Sequence, residues 1–376
     1  MASLALKNLV HDKVRLAVTL VGIVFSVILA AVQLGIFQGF IAASTDIIAN
    51  SKADLWITST DVTHVEQGVE FSERKLYQVL SLEGVERAEK QIVSLGGSVK
   101  KPNGSSEGVT LVGFNLQGGM GGAWNIVRGS VKDLESPDAV LVDELYAADK
   151  LGVTEINQVI ELNNRRARVV GFTRGIRIFT SQPAVFTSFK NAQSFLNLRE
   201  DQTLYIVVKA KPETNLEELK EEIAAQIKDV DVWATDELVH QQMMYWVFGT
   251  GAGITVLIAA ALAIIVGIVV VAQTIYAATI DHLKEYGTLK AMGATNFYLY
   301  RVIITQSVIS GIIGYVLGII VSLLISRVSM EGTLAIIVNW QLVAALFVTT
   351  ILMCVGASIV SINKVTRIDP AMVFKG

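Results

Sequence analysis

Four stretches of the chain contain no Asp, Glu, Lys or Arg: residues 16–45, 241–280, 302–326 and 332–363. A helix needs about 20 apolar residues, rising about 1.5 Å each, to cross about 30 Å of hydrocarbon. All four stretches meet that length, and a single Lys or Arg at a span centre would cost roughly 2.5–3.5 kcal/mol. The pattern predicts transmembrane helices over 16–40, 247–275, 301–326 and 341–362. The first is longer than the roughly 7–15-residue core of a signal peptide, so it reads as a retained anchor.

Between the first two spans the pattern changes to short elements. Residues 53–59 alternate like a strand, and 72–82 read as an amphipathic helix with Ser72 as N-cap. Residues 109–115, 140–143, 159–162, 169–172 and 204–209 read as strands, with Asn163-Asn164 as a hairpin turn. Residues 143–151 predict a helix ended by Gly152, and 215–227 a surface helix. The expected fold is therefore a membrane α-helical protein with four transmembrane helices. A mixed α/β extracytoplasmic domain, residues 41–246, is inserted between helices 1 and 2 and is long enough for one or two lobes.

Composition sharpens this reading. Charged residues are 17% of the 376-residue chain and apolar residues 52%. The charge deficit is confined to the four stretches, which argues against a soluble enzyme or a disordered chain. Four spans put both termini on one side. That side carries Lys7, Lys13, Arg15, Lys284, Lys290, Arg301, Lys364, Arg367 and Lys375 against Asp12, Asp281, Glu285 and Asp369. By the positive-inside rule the termini and the hairpin over 276–300 are cytoplasmic, and the 327–340 loop and the large domain lie outside. The net charge of −3 gives no reason to expect a nucleic-acid partner.

Catalytic chemistry is missing from the sequence. There is no P-loop; the run Gly118-Gly119-Met120-Gly121-Gly122 lacks the Lys and reads as a flexible loop. The four histidines are scattered, Cys354 lies within a span, and no nucleophile–base set assembles, so no metal and no catalytic residue is expected. The spans hold no charged residue to carry protons. Energy, if used, must come from another subunit.

Two features speak for coupling to such a subunit, and a third concerns helix packing. Residues 1–15 form an amphipathic segment, with Leu4, Leu6, Leu9 and Val10 opposed to Lys7, Asp12, Lys13 and Arg15, suited to a membrane anchor or a partner contact. After span two, residues 281–294 read as a helix continuing out of the membrane, a Gly293 turn, and span three starting near Tyr300. Asp281 and Lys284 are i,i+3 neighbours, a pairing that adds only tenths of a kcal/mol. A short, charged, rigid hairpin joining two spans suits a lever better than a stabilising device. Finally, Gly35 and Gly39 in span one, and Gly314 and Gly318 in span three, have the small-xxx-small spacing for close helix approach, either within the chain or in a dimer.

The run Glu285-Tyr286-Gly287-Thr288-Leu289-Lys290-Ala291-Met292-Gly293-Ala294 resembles the E-[IY]-G-x-L-[KR]-A-[ILM]-G-A hallmark of FtsX/MacB-type ABC transporter permeases. The tail Arg367-Ile368-Asp369-Pro370-Ala371-Met372 resembles that family's P-x-x-A-[LM] ending. Val127-Arg128-Gly129 with residues 139–152 is similar to its extracytoplasmic G-R…A-x-x-L-G stretch. Within the family the chain looks closest to the DevC-like branch. The resemblance implies a bacterial inner-membrane subunit that exports lipophilic or amphiphilic material while embedded in membrane lipid. It also implies a dimer of permeases with a separate cytoplasmic ABC ATPase that binds the ATP, no cofactor being held by this chain. A periplasmic adaptor and an outer-membrane duct are further partners. Asp281, Lys284, Glu285, Tyr286, Lys290, Gly293 and Ala294 would then couple to the ATPase. The alternative role is a mechanotransmitting regulator of a periplasmic cell-wall hydrolase, without transport.

Overall fold

The computed structural model describes residues 13–366 except Asp61, Pro102, Asn103 and Ser181. The amphipathic segment before residue 13 and the tail motif from Arg367 lie outside the described residues. The chain divides into two compact units. Among the described residues, the helical unit comprises 13–39, 254–330 and 334–366, and the outer unit comprises 40–253 together with 331–333.

Among the described residues, the helical unit contains four helices long and apolar enough to cross a membrane. They are α1 (Lys13–Ala49, of which the helical unit holds residues up to 39), α7 (Ala252–Asp281), α9 (Asn296–Ser329) and α10 (Trp340–Thr366). The short helix α8 (Leu283–Ala291) lies between α7 and α9. Small residues bring the helices together. The Gly314 and Gly318 positions of α9 are filled by Ile23 and Val27 of α1. Ser26 Oγ donates to the Gly267 carbonyl of α7 at 3.3 Å, and the Tyr315 hydroxyl donates to the Val343 carbonyl of α10 at 2.7 Å. Cys354 is fully buried, in contact with the Gly311 position.

The outer unit is built on a ten-stranded sheet ordered β12-β1-β11-β3-β4-β9-β6-β8-β5, with β7 off this path. These strands are β1 (Leu55–Ser59), β3 (Val85–Lys100), β4 (Ser106–Phe114), β5 (Ile126–Arg128), β6 (Ala139–Asp143), β7 (Val159–Leu162), β8 (Arg165–Thr173), β9 (Ala184–Ser188), β11 (Tyr205–Ala210) and β12 (Val230–Ala234). A two-stranded sheet pairs β2 (Phe71–Ser72) with β10 (Gln202–Thr203). Pairing is antiparallel except for β4 with β9 and β6 with β8. The 16-residue β3 joins the halves: residues 85–91 pair with β11 and residues 92–100 with β4. Side chains alternate across a strand. Leu55, Ile57, Ile206 and Val208 therefore enter one core with α2 (Arg74–Leu80) and α5 (Leu216–Gln226). Trp56, Tyr205 and Val207 enter a second core with β4, β6, β8 and β9. Both faces of these strands are buried, which is why their sequences run apolar rather than strictly alternating.

Several local expectations hold and several need correction. Asn163 and Asn164 both take positive φ, +50° and +59°, in a two-residue turn between β7 and β8. Asn215 caps α5 by accepting the Glu217 N–H at 3.1 Å. Ser72, expected as an N-cap, lies in β2; the helix starts at Arg74 after Glu73, whose carboxylate pairs with Lys90. The expected 143–151 helix is one turn, α3 (Glu144–Tyr146), running into a wider π-turn (Ala147–Leu151) before Gly152 at φ +70°. The glycine run 118–122 is not a flexible loop. Met120 is 1% exposed, its N–H donates to buried Glu89 at 3.2 Å, and the Gly121 N–H donates to the Ser51 carbonyl at 2.8 Å. A Cβ at Gly118 would overlap the Glu89 carboxylate, so this glycine is needed for close approach. Strands β3, β9 and β12, and helix α4 (Phe189–Leu196), have no counterpart among the sequence-based elements.

The uncharged stretches also extend beyond the helical unit. Ile47 and Ile48 at the end of α1 are buried in the outer core. Residues 241–249 close α6 (Thr235–Met244) and a π-turn (Tyr245–Gly249), where Trp246 packs on His64 and Phe179. Gly251 at φ +73° then breaks the chain before α7. Gln242 Nε2 donates to both oxygens of buried Glu66 at 2.8 and 2.7 Å, and its Oε1 accepts the Val65 N–H at 3.0 Å.

His64 stacks on Tyr245 with ring centroids 4.5 Å apart, and burial lowers its pKa below the ordinary 6.5. Its native state therefore disfavours the proton. The stability that neutral His64 contributes is complete above pH 6.5 and is lost as the pH falls toward the depressed native value. His64→Phe keeps the stacked ring. Its outer domain is expected to lose less melting temperature between pH 7.5 and 5.5 than the wild type; an equal loss in both proteins removes His64 from the pH response. Glu66, whose pKa burial raises, contributes oppositely and is common to both proteins.

Candidate coupling hairpin

The hairpin between α7 and α9 is assembled by three local signals. Helix α7 stops at Asp281, His282 leaves helical geometry at φ −88°, ψ 8°, and α8 begins at Leu283. The expected continuous helix is thus broken. At the other end the Gly293 N–H donates to the Lys290 carbonyl and the Ala294 N–H to the Leu289 carbonyl, both at 3.0 Å. With Gly293 at φ +94° this is a Schellman stop. Thr295 caps α9, accepting the Tyr298 N–H at 3.3 Å. The third membrane helix therefore starts at Asn296, four residues before Tyr300.

The two faces of the hairpin differ. Tyr286 is 2% exposed and packs with Leu299, Val302 and Ile303 of α9. Its hydroxyl donates to Gln306 Oε1 at 2.8 Å. Burial, and the nearby Glu285 charge, push the phenol pKa up, so it remains a neutral donor. Gly287 is also buried. Tyr286 and Gln306 border a small cavity of about 50 Å³ that also reaches Leu16, Thr19, Thr279 and Ser310. On the other face Glu285, Thr288 and Ala291 are exposed, and Met292 and Phe297 at the turn are 72% and 76% exposed. Glu285 Oε1 lies 3.0 Å from His282 Nδ1.

Of the coupling residues expected from the sequence, Glu285 and Gly293 lie on the exposed side and Lys290 and Ala294 are half-buried. Asp281 is exposed at the end of α7, and the Lys284 side chain is outside the described residues. Tyr286 points inward and joins α8 to α9. Met292 and Phe297 were missed, although two large apolar residues flanking a glycine turn outside the spans are a readable signal. Gln306 was missed because a lone Gln within a span carries no sequence signature.

The four packing glycines face neighbours within the chain. Those in α9 receive Ile23 and Val27, Gly35 meets Ile336, and Gly39 meets the Ala335 carbonyl. They are accounted for without a dimer.

A model of the MacB-like periplasmic core domain matches residues 16–226. A model of the FtsX-like permease C-terminal region matches residues 243–370. The chain belongs to the FtsX/MacB-type ABC transporter permeases. An uncharacterized ABC transporter permease of Mycobacterium tuberculosis is 23% identical over 378 residues, covering 99% of both chains. Another, from Methanocaldococcus jannaschii, is 22% identical over 235 residues, covering 59% of this chain and 58% of its own. Among solved structures, the periplasmic region of MacB from Actinobacillus actinomycetemcomitans matches with a TM-score of 0.38 and 14% identity, over 51% of this chain and 92% of that one. The extracellular domain of YknZ, a noncanonic ABC-type transporter from Gram-positive bacteria, matches with a TM-score of 0.36 and 12% identity, over 48% and 98%.

Proposed function

We propose that this permease converts ATP-driven motion of a separate cytoplasmic ATPase into export or extraction of a lipophilic or amphiphilic substrate from the outer face of a bacterial inner membrane. Both termini and the α8 hairpin are cytoplasmic, two permeases act together, and a periplasmic adaptor receives the cargo. The chain itself performs no catalysis.

The observation that carries this reading is the two-faced hairpin. One face is tied to α9 through Tyr286, and the other presents Glu285, Met292 and Phe297. Exposed large apolar residues beside a charge suit an anchor for a partner pocket. A push on α8 then moves α9 with it. A small cleft of about 60 Å³ between α1, α7 and α10 is lined by Ile23, Ala30, Leu34, Val271, Leu346 and Met353, and this apolar lining is in keeping with a lipophilic cargo.

The test is affinity purification of the tagged full-length chain from its host in mild detergent, with mass spectrometry of the retained proteins. A stoichiometric ABC ATPase with a periplasmic adaptor is expected. An ATPase with a cell-wall hydrolase in place of the adaptor replaces export by regulation, and no ATPase at all overturns the coupling assignment. In the same assay Glu285→Lys is expected to reduce ATPase retention by roughly tenfold or more through charge reversal at the docking face. Undiminished retention and ATP turnover would remove Glu285 from that face.

A further inference from the structure

Three residues of the α9–α10 connection, 331–333, belong to the outer unit, while Met330 before them and Leu334 after them belong to the helical unit. Arg177 holds them there. Its Nε and Nη2 donate to the Gly332 carbonyl oxygen at 3.2 and 3.0 Å, and its Nη1 donates to the Gly175 carbonyl at 3.2 Å.

Arg177 is only 9% exposed and stands on a stiff support. Asp143 accepts the N–H groups of Gly175 and Ile176 at 3.2 and 2.9 Å. Ile176 and Ile178 are buried. The Phe179 N–H donates to the Ala43 carbonyl of α1 at 3.1 Å, and the Phe179 ring meets Phe40 edge-on at 4.5 Å. The charge also acts on Asp46, one turn beyond Ala43.

The sequence flanking Gly332 is bound to the membrane helices. Ser326 Oγ donates to the Ile336 carbonyl at 2.6 Å, and the Ile336 N–H donates to Ser329 Oγ at 3.0 Å. The Ile337 N–H donates to the Gly35 carbonyl of α1 at 3.0 Å. The short segment is thus bonded to the outer domain in its middle and to the helices just beyond its end.

Burying a guanidinium is costly unless it is fully bonded, and an apolar side chain commonly stabilises as well. What arginine adds is a forked, directional grip. Here both prongs close on one main-chain carbonyl of a connection between two membrane helices.

We propose that Arg177 is the outer clasp of the transmission, the positioning residue through which displacement of α9 and α10 reaches the extracytoplasmic domain. This inference rests on the ATP-driven reading above and places its output contact, as the α8 hairpin is its input.

The test is hydrogen exchange on the full-length permease with its co-purified ATPase in lipid nanodiscs, with and without ATP and vanadate. Wild type, Arg177→Gln and Arg177→Lys are compared. In Arg177→Gln, amides of 331–337 are expected to exchange at least about tenfold faster, because charge-assisted bonds to this segment are lost. Protection in β3 and β11 stays at the wild-type level, which reports an intact fold. The nucleotide-dependent change expected at 174–180 in the wild type disappears, while the change at α8 and ATP turnover persist. Arg177→Lys, which keeps the charge but not the fork, is expected to give an intermediate response. A full response at 174–180 in Arg177→Gln overturns the clasp. If Arg177→Gln loses β3 and β11 protection, the Lys variant decides, and a full response there overturns it equally. A wild-type complex in which nucleotide changes neither α8 nor 174–180 overturns the ATP-driven reading and the clasp with it.

Discussion

Gly39→Val is expected to lower the thermal stability of the membrane-helix unit by about 3 kcal/mol, the upper part of the usual range for overpacking. A Cβ at this position would lie 1.9 Å from the Ala335 carbonyl oxygen. The obstacle is main chain, so no rotamer change relieves it. The connection before α10 must move away, and with it the bond from the Ile337 N–H to the Gly35 carbonyl. Melting of the purified permease in detergent, followed by the helical circular-dichroism signal, measures the effect. Gly39→Ala meets the same oxygen and is expected to show a large part of the same loss. If the glycine served subunit association instead, valine would yield monomers that melt at the wild-type temperature. That result would overturn the internal packing role.

Tyr286→Ala is expected to detach the α8 hairpin from α9. Removing a buried aromatic side chain costs roughly 3–5 kcal/mol, and the Gln306 carbonyl oxygen loses its donor. Tyr286→Phe keeps the packing against Leu299, Val302 and Ile303 and loses only the hydrogen bond, about 1 kcal/mol. ATPase retention and coupled ATP turnover should therefore fall steeply in the alanine variant and little in the phenylalanine variant. A residue that touched the ATPase directly through its hydroxyl would reverse this order, with the phenylalanine variant nearly as impaired as the alanine variant. Protection of α8 amides against exchange provides the second readout, and it should collapse only in Tyr286→Ala.

The contrast between Glu285 and Tyr286 marks the limit of sequence reading at this site. Both lie in the same ten-residue motif, and the sequence assigned both to one coupling role. Only the packing of α8 on α9 separates a presented carboxylate from a buried tie. The glycines follow the same rule. Their spacing declares close approach, but the partner, whether Ile23, Val27, Ile336 or the Ala335 carbonyl, depends on how helices distant in sequence come together.

In the outer domain, local chemistry was readable where an element is decided locally. Asn163-Asn164 makes its turn because Asn tolerates positive φ, and Asn215 caps the following helix with its own side chain. Strand β3 was not readable. Its 16 residues carry charges and a Gly-Gly pair, and it pairs with different neighbours in its two halves. No single period describes it. The glycine run over Glu89 looked like slack chain because its partners come from residues about 30 positions upstream.

By itself the sequence determined that this chain has four membrane-spanning helices, that a large domain is inserted after the first, and that the hairpin between the second and third carries the family's motif. Those properties follow from the cost of charge in hydrocarbon and from short-range backbone preferences, which act on contiguous residues. The tertiary structure alone decided that Tyr286 faces inward, that the glycines are occupied within the chain, and that Arg177 grips the α9–α10 connection 155 residues away. Such contacts are made by groups that become neighbours only after the chain has closed on itself, so no local pattern records them.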